Sequence, residues 1–374
     1  MEENRLQGLP EAADTESALE RPDIRSMTMQ ELEEYVTALG EKRFRAKQLY
    51  QWLHVQLASS PEEMTNLPKA FRELLCSKAD FRRAEAVEVL TSRLDGTQKY
   101  LFRLEDGNVI ESVLMRYHHG NSVCISSQVG CRMGCAFCAS TIGGRIRNLT
   151  ASEMLGQIYQ ISRMTGERVS NVVVMGSGEP LDNYDNLIRF LRLLTDENGL
   201  NISRRNITVS TCGLVPEIYR FAQEDPGVTL ALSLHASSQE KREELMPIAR
   251  RYALPEVMDA CRAYFEKTGR RLTFEYSLVA GVNDSEQDAA GLAHLLSGMH
   301  AHVNLIPVNP VKERSFVSPD RKKVEAFQSR LEKHGINATI RREMGRDING
   351  ACGQLRRSYL QQEDGGPALE GKHT

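Results

Sequence analysis

Three cysteines are concentrated in one short stretch, "GCRMGCAFCAST", at residues 130–141. Cys131, Cys135 and Cys138 follow a CxxxCxxC spacing, although the chain has only eight cysteines among its 374 residues. Three thiolates on one loop can hold three corners of a metal cluster and leave a fourth iron open for a small molecule. A structural zinc site normally takes four ligands, and Cys124 is the nearest further cysteine. The spacing therefore favours an iron–sulfur cluster and leaves zinc as the alternative.

The composition, with 41% hydrophobic and 26% charged residues, is that of a soluble globular protein. No window approaches the apolar length that spans a membrane, and the N-terminus lacks the basic start and apolar core of a signal peptide. We therefore expect a cytoplasmic protein with reduced thiols, in which clustered cysteines bind metal or do chemistry more often than they form structural disulfides.

The net charge of −3 is unevenly distributed along the chain. Residues 1–35 carry −7 and residues 358–374 carry −2, so the part between them carries +6. Residues 1–25 are polar and acidic and are predicted to be flexible, as is the tail 358–374. A mildly basic body between acidic ends is compatible with an RNA partner but does not require one.

The elements that must position the cysteine loop begin with a small helical domain, predicted over residues 26–80. Thr28 and Glu31 form a capping box for its first helix, which ends at Gly40. The runs "FRAKQLYQWLHVQ" and "LPKAFRELLCSK" predict two further helices. Over residues 85–117, apolar and polar residues alternate around two Asp-Gly pairs, which predicts a β-meander.

Strand-like and helical segments alternate through the rest of the chain. The predicted strands are residues 122–127, 171–176, 206–211, 228–235, 272–279, 302–308 and 338–342. Six successive βα units favour an α/β fold, a parallel sheet that closes partly into a TIM-like (β/α)6 barrel over residues 118–345. A doubly wound open sheet is the main alternative. In the barrel, the cysteine loop follows the first strand, at the face where barrels place their chemistry.

Small and polar residues stand at the ends of the later predicted strands. They are Gly178, Glu179, Ser210, Ser233, His235 and Asn309. Taken one at a time, a glycine turn or a lone histidine after an apolar strand more often has a structural role. Because the carboxyl ends of barrel strands converge on one face, these residues are together candidates for one binding pocket.

The cysteine motif resembles that of the radical S-adenosylmethionine (SAM) superfamily, in which an aromatic residue, here Phe137, precedes the last cysteine. The strings "HGNSVCISSQVGCRMGCAFCAST", "MGSGEPL" and "DINGACGQL" narrow the resemblance to the RlmN and Cfr family of RNA adenine methyltransferases, over residues 28–357. The resemblance implies a radical SAM barrel, one 4Fe–4S cluster held by Cys131, Cys135 and Cys138, and SAM chelated by the open iron.

The same resemblance implies roles for residues outside the cysteine loop. The positions that match SAM contacts in the family are Gly178, Glu179, Ser210, Ser233, His235 and Asn309. Cys352, in "DINGACGQL", matches the cysteine that accepts a methyl group from one SAM and carries it to the substrate. Cys124 matches the thiol that releases the product through a transient disulfide bond. Glu111 matches the proposed acceptor of the ring proton.

Without the resemblance, these residues have plainer interpretations. Cys124 is then an inward-facing strand residue, and alternation places Glu111 on the solvent face of its strand. Cys76, Cys212 and Cys261 are predicted to be buried packing residues.

The family's reaction is the methylation of carbon 2 of adenine, in one adenosine of 23S rRNA and one of tRNA. The small neighbours of Cys352 predict that a mobile segment, residues 346–357, carries it. Five arginines around it predict RNA phosphate contact; they are Arg341, Arg342, Arg346, Arg356 and Arg357. Basic residues near Trp52 resemble the family's accessory RNA-binding domain over residues 26–80. We also expect an electron donor such as flavodoxin with its reductase. The protein is expected to be a monomer and to make no membrane contact.

Two alternatives to this reaction stay open from the sequence. Methylation at carbon 8, as in Cfr, uses the same motifs, although Pro180 and the helical domain favour carbon 2. A protein of another class, a zinc-stabilised RNA-binding protein without catalysis, would explain the cysteines but not the motifs that follow the later strands.

Overall fold

The computed structural model describes residues 21–81, 84–309, 311 and 314–348. Its α-helices are α1 (Met29–Ala38), α2 (Phe44–His54), α3 (Lys69–Lys78), α4 (Ala151–Thr165), α5 (Tyr184–Thr195), α6 (Val215–Glu224), α7 (Gln239–Leu245), α8 (Leu254–Thr268), α9 (Glu286–Leu295) and α10 (Arg321–Lys333). Its strands are β1 (Glu85–Thr91), β2 (Gln98–Arg103), β3 (Val109–Tyr117), β4 (Gly120–Ile125), β5 (Gln128–Gly130), β6 (Arg145–Asn148), β7 (Val169–Val174), β8 (Ile207–Thr211), β9 (Thr229–Ser233), β10 (Leu272–Leu278), β11 (Ala301–Pro307) and β12 (Asn337–Ile340).

Ten strands form one mixed sheet in the order β1-β2-β3-β4-β7-β8-β9-β10-β11-β12. The pairings from β1 to β4 are antiparallel, and those from β4 to β12 are parallel. The parallel strands follow one another in chain order, whereas a doubly wound sheet reverses its order at a switch point. The predicted α/β fold with a partial barrel is therefore confirmed, and the doubly wound alternative is wrong.

The predicted meander is part of the same sheet, because β3 pairs with β4 in antiparallel register. Its strands thus extend the barrel wall on the side of the first parallel strand. A separate two-stranded sheet, β5 with β6, lies beyond the end of β4 and flanks the cysteine loop.

The N-terminal helices share one continuous hydrophobic core with the barrel. The capping box of α1 is present: Thr28 N donates to Glu31 Oε2 at 2.7 Å, and Glu31 N donates to Thr28 Oγ1 at 3.3 Å. Buried polar contacts also cross between the helices and the barrel. His54 Nδ1 on α2 lies 2.7 Å from the hydroxyl of Tyr159 on α4. These helices are consequently held against the outside of the barrel by both apolar and polar contacts.

The described helices include none that combines the length and the apolar character needed to cross a membrane.

Candidate active site

The cysteine loop lies between β5 and β6, whose antiparallel pairing brings its two ends together. Gly130 has a φ of +77°, and a Cβ at this position would lie 2.0 Å from the carbonyl oxygen of Gly144. Cys131 N donates to that same oxygen at 3.0 Å. Farther along, Thr141 Oγ1 donates to the carbonyl oxygen of Cys138 at 2.9 Å. Only glycine fits at Gly130, and the hydrogen bonds hold the loop backbone in one compact shape.

The loop packs on the carboxyl end of α7 and on the residues after β8. Ala136 N donates to the carbonyl oxygen of Leu245 at 2.9 Å. Around this contact lies a small apolar cluster, separate from the main core, that contains Cys131, Met133, Cys212, Leu245 and Met246. The three candidate ligands therefore lie in surroundings that exclude most water, although Cys135 and Cys138 are only half-buried.

The thiols of the loop are difficult to ionise on their own. Burial raises the pKa of Cys131 to about 12, and it also raises the pKa values of Cys135 and Cys138. The charge of Cys138 adds to this effect at both Cys131 and Cys135, so the sulfur atoms lie within electrostatic reach of one another. A bound cation is needed to displace these protons, as is usual for thiolate metal ligands.

Thiolate sulfur on one constrained loop is the donor set that a 4Fe–4S cluster takes, with each thiolate on a different iron. No group of three or more His, Cys, Asp or Glu side chains within the described ranges is arranged to hold a metal ion as it stands. The fit to the cluster thus rests on the donor chemistry, the apolar surroundings and the shared loop.

The loop after β7 packs closely on the turn after β4. Gly178 has a φ of +111°, and a Cβ there would lie 2.7 Å from both Gln128 Cβ and Ser127 Oγ. Ser127 N and Gln128 N donate to the carbonyl oxygen of Ser177 at 2.9 and 3.1 Å. The glycine is therefore required by contact between two loops of the barrel face.

Glu179 joins the ends of two neighbouring strands. Its side chain is buried, with Oε1 accepting from Leu181 N at 3.1 Å and Oε2 from Cys212 N at 2.8 Å. Burial raises the pKa of Glu179, and the hydrogen bonds from Cys212 lower it in part. The carboxylate also acts electrostatically on Cys131 and Cys135, which places it beside the cysteine loop.

A polar row crosses the next strands. Ser210 Oγ and Ser233 Oγ lie 3.3 Å apart, joining β8 to β9. Ser233 is paired in register with Glu275 of β10, whose Oε2 accepts from Asn304 Nδ2 of β11 at 2.8 Å. Burial raises the pKa of Glu275. Sequence reasoning predicted the two serines and missed Glu275 and Asn304, because only the strand register aligns them.

His235 adopts a positive φ of 57° at the end of β9. Its Nδ1 accepts from Ser277 N at 2.9 Å, so the neutral ring carries its proton on Nε2. Burial, with a further contribution from the charge of Arg242, lowers the pKa of His235 to about 3. The ring edge meets Phe137 at 4.8 Å between centroids, which links β9 to the cysteine loop. Asn309 is half-buried two residues after β11, on the same edge of the sheet.

A second group of ionisable residues lies on the meander and on β4. Lys99 pairs in register with Val113, which in turn pairs with Cys124, so that Lys99, Glu111 and Cys124 share one face of the sheet. Lys99 Nζ lies 3.2 Å from Glu111 Oε2, and both side chains are buried. The prediction that Glu111 faces solvent is therefore wrong, because both faces of β3 are covered around Glu111.

Cys124 is half-buried, and burial raises the pKa of its thiol. The charge of Arg341 is the largest influence in the opposite direction. Arg341 follows β12 and also lowers the pKa of Glu275 on β10. One guanidinium thus acts on strands that are distant in sheet order, as expected where the sheet curls into a partial barrel.

The segment that leads to Cys352 is anchored on the turn between β1 and β2. Asp347 Oδ1 accepts from Ser92 Oγ at 2.6 Å and its Oδ2 accepts from Arg93 N at 2.8 Å. Gly345 N donates to Asp95 Oδ2 at 3.0 Å. The chain therefore reaches residue 348 beside the strand that carries Lys99.

Several predictions concern residues outside the described ranges, namely Cys352, Arg356 and Arg357. The seven cysteines within these ranges are free thiols. The expected transient disulfide bond would join Cys124 to Cys352, which lies outside the described ranges. Cys212 and Cys261 are buried as predicted, whereas the prediction for Cys76 is wrong, because it is exposed on α3.

The basic residues near Trp52, at the start of α2 and just before it, were predicted to belong to an accessory RNA-binding domain. Arg43 Nε donates to Glu33 Oε2 at 2.9 Å, and the Arg45 guanidinium lies 4.8 Å from the Phe44 ring centroid. Trp52 Nε1 donates to Asn66 Oδ1 at 2.6 Å. Part of this surface is therefore already engaged in contacts within the protein, and its contact with RNA stays a prediction.

The partial barrel and the cysteine loop at the carboxyl ends of its strands define a radical SAM protein. In agreement, residues 125–293 match the family model of the radical SAM superfamily. Residues 23–80 match the family model of the ribosomal RNA large subunit methyltransferase N-terminal domain. Over 347 residues, the chain is 61% identical to a "probable dual-specificity RNA methyltransferase RlmN" of Lachnospira eligens, covering 92% of this chain and 99% of the relative.

A relative with the same name from Clostridium perfringens is 53% identical, with 91% of this chain and 98% of the relative covered. The crystal structure of a radical SAM methyltransferase from Sphaerobacter thermophilus superposes with a TM-score of 0.86 at 45% identity, covering 89% of this chain and 98% of that one. The chain belongs to the RlmN family of radical SAM RNA methyltransferases. Members of the radical SAM family use a 4Fe–4S cluster and SAM.

Proposed function

We propose that this RNA methyltransferase acts on carbon 2 of a specific adenosine in 23S rRNA and in tRNA, through an S-methylated Cys352 and with two SAM molecules per turnover. Cys131, Cys135 and Cys138 hold the cluster. The names of the relatives, which include dual specificity for RNA, support the substrate class. The observation that carries the proposal is the shared sheet face of Lys99, Glu111 and Cys124, beside the anchored segment that leads to Cys352.

Chain geometry supports a meeting of Cys352 with this group. Cys352 lies four positions after Ile348 in the sequence, and an extended chain advances at most about 3.6 Å per residue, or ~14 Å in all. Ile348 is held at the turn that precedes β2 by the contacts of Asp347 with Ser92 and Arg93. This short reach supports the proposed meeting of Cys352 with Glu111 and Cys124.

Carbon 2 of adenine is electron-poor and does not attack the methyl group of SAM by polar displacement. The bound cluster and SAM supply the methyl group and the radical that activates it. The residues of this chain carry out the remaining steps. Cys352 carries the one-carbon unit, forms a bond from that carbon to the ring, and so links protein and RNA. Once a one-electron acceptor has taken the unpaired electron of this adduct, Glu111 accepts the proton of carbon 2.

Cys124 then frees the product. Its thiolate attacks the sulfur of Cys352, so that a disulfide bond forms and the bond between that sulfur and the transferred carbon breaks. The carbon leaves with the adenine and takes up a proton to become the methyl group. Lys99, at 3.2 Å from Glu111, provides a positive charge beside the buried carboxylate before it accepts the proton. Arg341 favours the thiolate form of Cys124.

SAM is assigned in this proposal to the strand ends that the structure brings to one edge. Ser210, Ser233, His235 and Asn309 supply hydroxyl, imidazole and amide groups there, and Glu179 lies beside the cysteine loop. Since both oxygens of Glu179 already accept backbone hydrogen bonds, we infer that it positions the loops as well as facing the ligand. A flavodoxin-type electron donor, a monomeric state and a cytoplasmic location belong to the same proposal.

The test is the variant Cys124→Ala, with Cys261→Ala as the matched control. Cys261 is fully buried on α8 and packs in the main core. We expect Cys124→Ala to keep its cluster and its cleavage of SAM to 5′-deoxyadenosine, and to purify with RNA covalently attached. The control should lose about 1 kcal/mol of stability at most and carry no RNA. Adding Cys352→Ala should remove the attached RNA.

Normal turnover of Cys124→Ala without attached RNA would contradict the two-cysteine mechanism. The position of methylation is tested separately, by mass spectrometry of nucleosides from RNA treated with the native enzyme. We expect 2-methyladenosine in 23S rRNA and in tRNA. Methylation at carbon 8 instead would overturn the assignment to carbon 2.

A further inference from the structure

Arg242 on α7 is a fully buried arginine for which the described residues provide few partners. Its Nη2 donates to the carbonyl oxygen of Cys212 at 2.7 Å. The Nε and Nη1 atoms are also buried and have no hydrogen-bond partner among the described residues. Arg242 forms no ion pair with a carboxylate in that part of the chain. A buried guanidinium without a counter-charge is costly, so this one requires an explanation.

The surroundings of this guanidinium place it beside the cysteine loop. A Cβ on Gly213 would lie 3.2 Å from Arg242 Nη2, which fixes that atom at the residues just after β8. The carboxyl end of α7, three residues after Arg242, is bonded to the cysteine loop through Ala136 N and the carbonyl oxygen of Leu245. Burial lowers the pKa of Arg242, and the charges of Cys212, Cys135 and Cys261 act in the opposite direction, in that order.

Glu179 contacts Cys212, the residue to which Arg242 donates, but its carboxylate oxygens already have partners. Both oxygens of Glu179 accept backbone N–H groups, from Leu181 and Cys212. Of the three cysteines whose charge acts on Arg242, Cys135 is the one on the cysteine loop, and it is a proposed cluster ligand. Three thiolates on a 4Fe–4S core give a net negative charge, and one-electron reduction increases it by one. The net charge around a cluster is one of the factors that set its reduction potential.

We propose that Arg242 is the buried counter-charge of the cluster and favours its one-electron reduction. The inference rests on the proposed assignment of Cys131, Cys135 and Cys138 as ligands. The electron comes from an external one-electron reductant, and Arg242 itself exchanges neither electron nor proton. This role also gives a reason for a charged side chain to lie beside the apolar cluster under the cysteine loop. The competing explanation is a structural link from α7 to Cys212 with no effect on the cluster.

The experiment is a reductive titration of the purified, cluster-containing protein without SAM, followed by the EPR signal of the reduced cluster. The variants are Arg242→Gln and Arg242→Met, which remove the charge, and Arg242→Lys, which keeps it. Arg132→Gln is the matched control, because Arg132 is an arginine of the cysteine loop whose side chain is 58% exposed and pairs with Asp182. Solvent screens such an exposed charge.

In the two neutral variants we expect the ratio of reduced to oxidised cluster at a given potential to be about tenfold lower. This corresponds to a midpoint potential that is lower by about 59 mV for a one-electron couple. Arg242→Lys should recover most of this shift, and Arg132→Gln should stay within about threefold of the native protein. The shift should persist at high ionic strength, because a buried charge is screened little.

Each other outcome is decisive as well. Neutral variants with full iron content and an unchanged midpoint potential would leave Arg242 a structural link only and overturn the proposal. If the neutral variants hold no iron while Arg242→Lys holds it, the requirement for charge is supported. Failure of Arg242→Lys to hold iron would show that guanidinium geometry matters and charge does not, which overturns it too. Absence of iron from the native protein would instead refute the ligand assignment.

Discussion

The close packing of the loop after β7 on the turn after β4 gives a quantitative test with three glycines. Gly166 ends α4 with a φ of +68°, and a Cβ added there would meet no atom of the described residues within 4 Å. Gly176 has no positive φ, but a Cβ there would lie 2.6 Å from the carbonyl oxygen of Ile125. Gly178 combines a φ of +111° with contacts of 2.7 Å. The three positions therefore separate backbone strain from steric overlap.

The expected costs of replacement by alanine follow from these two effects. At Gly166 only the left-handed backbone is penalised, by about 1 kcal/mol. At Gly176 the overlap is with backbone atoms that cannot rotate away, and overpacking of this kind costs about 1–3 kcal/mol. At Gly178 both effects apply, which gives about 2–4 kcal/mol. We predict the order of destabilisation Gly166→Ala, Gly176→Ala, Gly178→Ala, from smallest to largest.

The assay is anaerobic urea unfolding of the three variants and the native protein, accepted only where the m value is unchanged. Iron content measured on the same samples shows whether displacement of the turn after β4 reaches the cysteine loop. We expect iron loss in Gly178→Ala and none in Gly166→Ala. A Gly178→Ala protein that is no less stable than Gly166→Ala would refute the close approach of the two loops.

Two predictions concern pH. Stability should fall as the pH drops from about 6.5 towards 3, because burial lowers the pKa of His54 to about 3 and the unfolded chain therefore binds this proton first. Urea titrations of the native protein and of His54→Gln at several pH values check this. An equal dependence of stability on pH in the two proteins would contradict it. RNA release by Cys124 should speed up about tenfold per unit between pH 6 and 8, because burial raises its pKa and only the thiolate attacks. Single-turnover rates of RNA release measure this, and Arg341→Gln should slow release. A release rate that stops rising with pH below pH 8 would contradict the prediction.

Local patterns were sufficient to predict the N-terminal helices and the order of the strands in the main sheet, but not the short pair β5 and β6. The capping box at Thr28 and the alternation around the parallel strands involve neighbours in sequence, and both are present. The ends of the first two parallel strands were less predictable. β4 and β7 each end two residues earlier than predicted, at Ile125 and Val174. The next residues leave the ladder because Ser127 N bonds to the carbonyl oxygen of Ser177, a contact that depends on tertiary packing.

Sequence reasoning missed the burial of several charged or polar residues of the site, because that burial depends on the whole fold. Lys99 and Glu111 lie on a strand pair whose polar alternation is typical of a solvated face, yet both are buried and paired. Arg242 belongs to the run "EKREEL", which has the composition of an exposed helix. Glu275 meets Asn304 only through the register of β10 with β11. No local pattern distinguishes these residues from solvent-exposed ones.

The position of Cys124 constrains the geometry of the proposed reaction. Cys124 lies within β4, paired in register on both sides, and the cysteine loop begins six residues after the end of that strand. The resolving thiol and the cluster ligands are thus held by one continuous part of the barrel wall. In the proposed mechanism Cys352 must meet SAM, then the adenine, and then Cys124. The strand pairings hold Cys124 in place, and the contacts of Asp347 with Ser92 and Arg93 fix the described end of the segment that leads to Cys352.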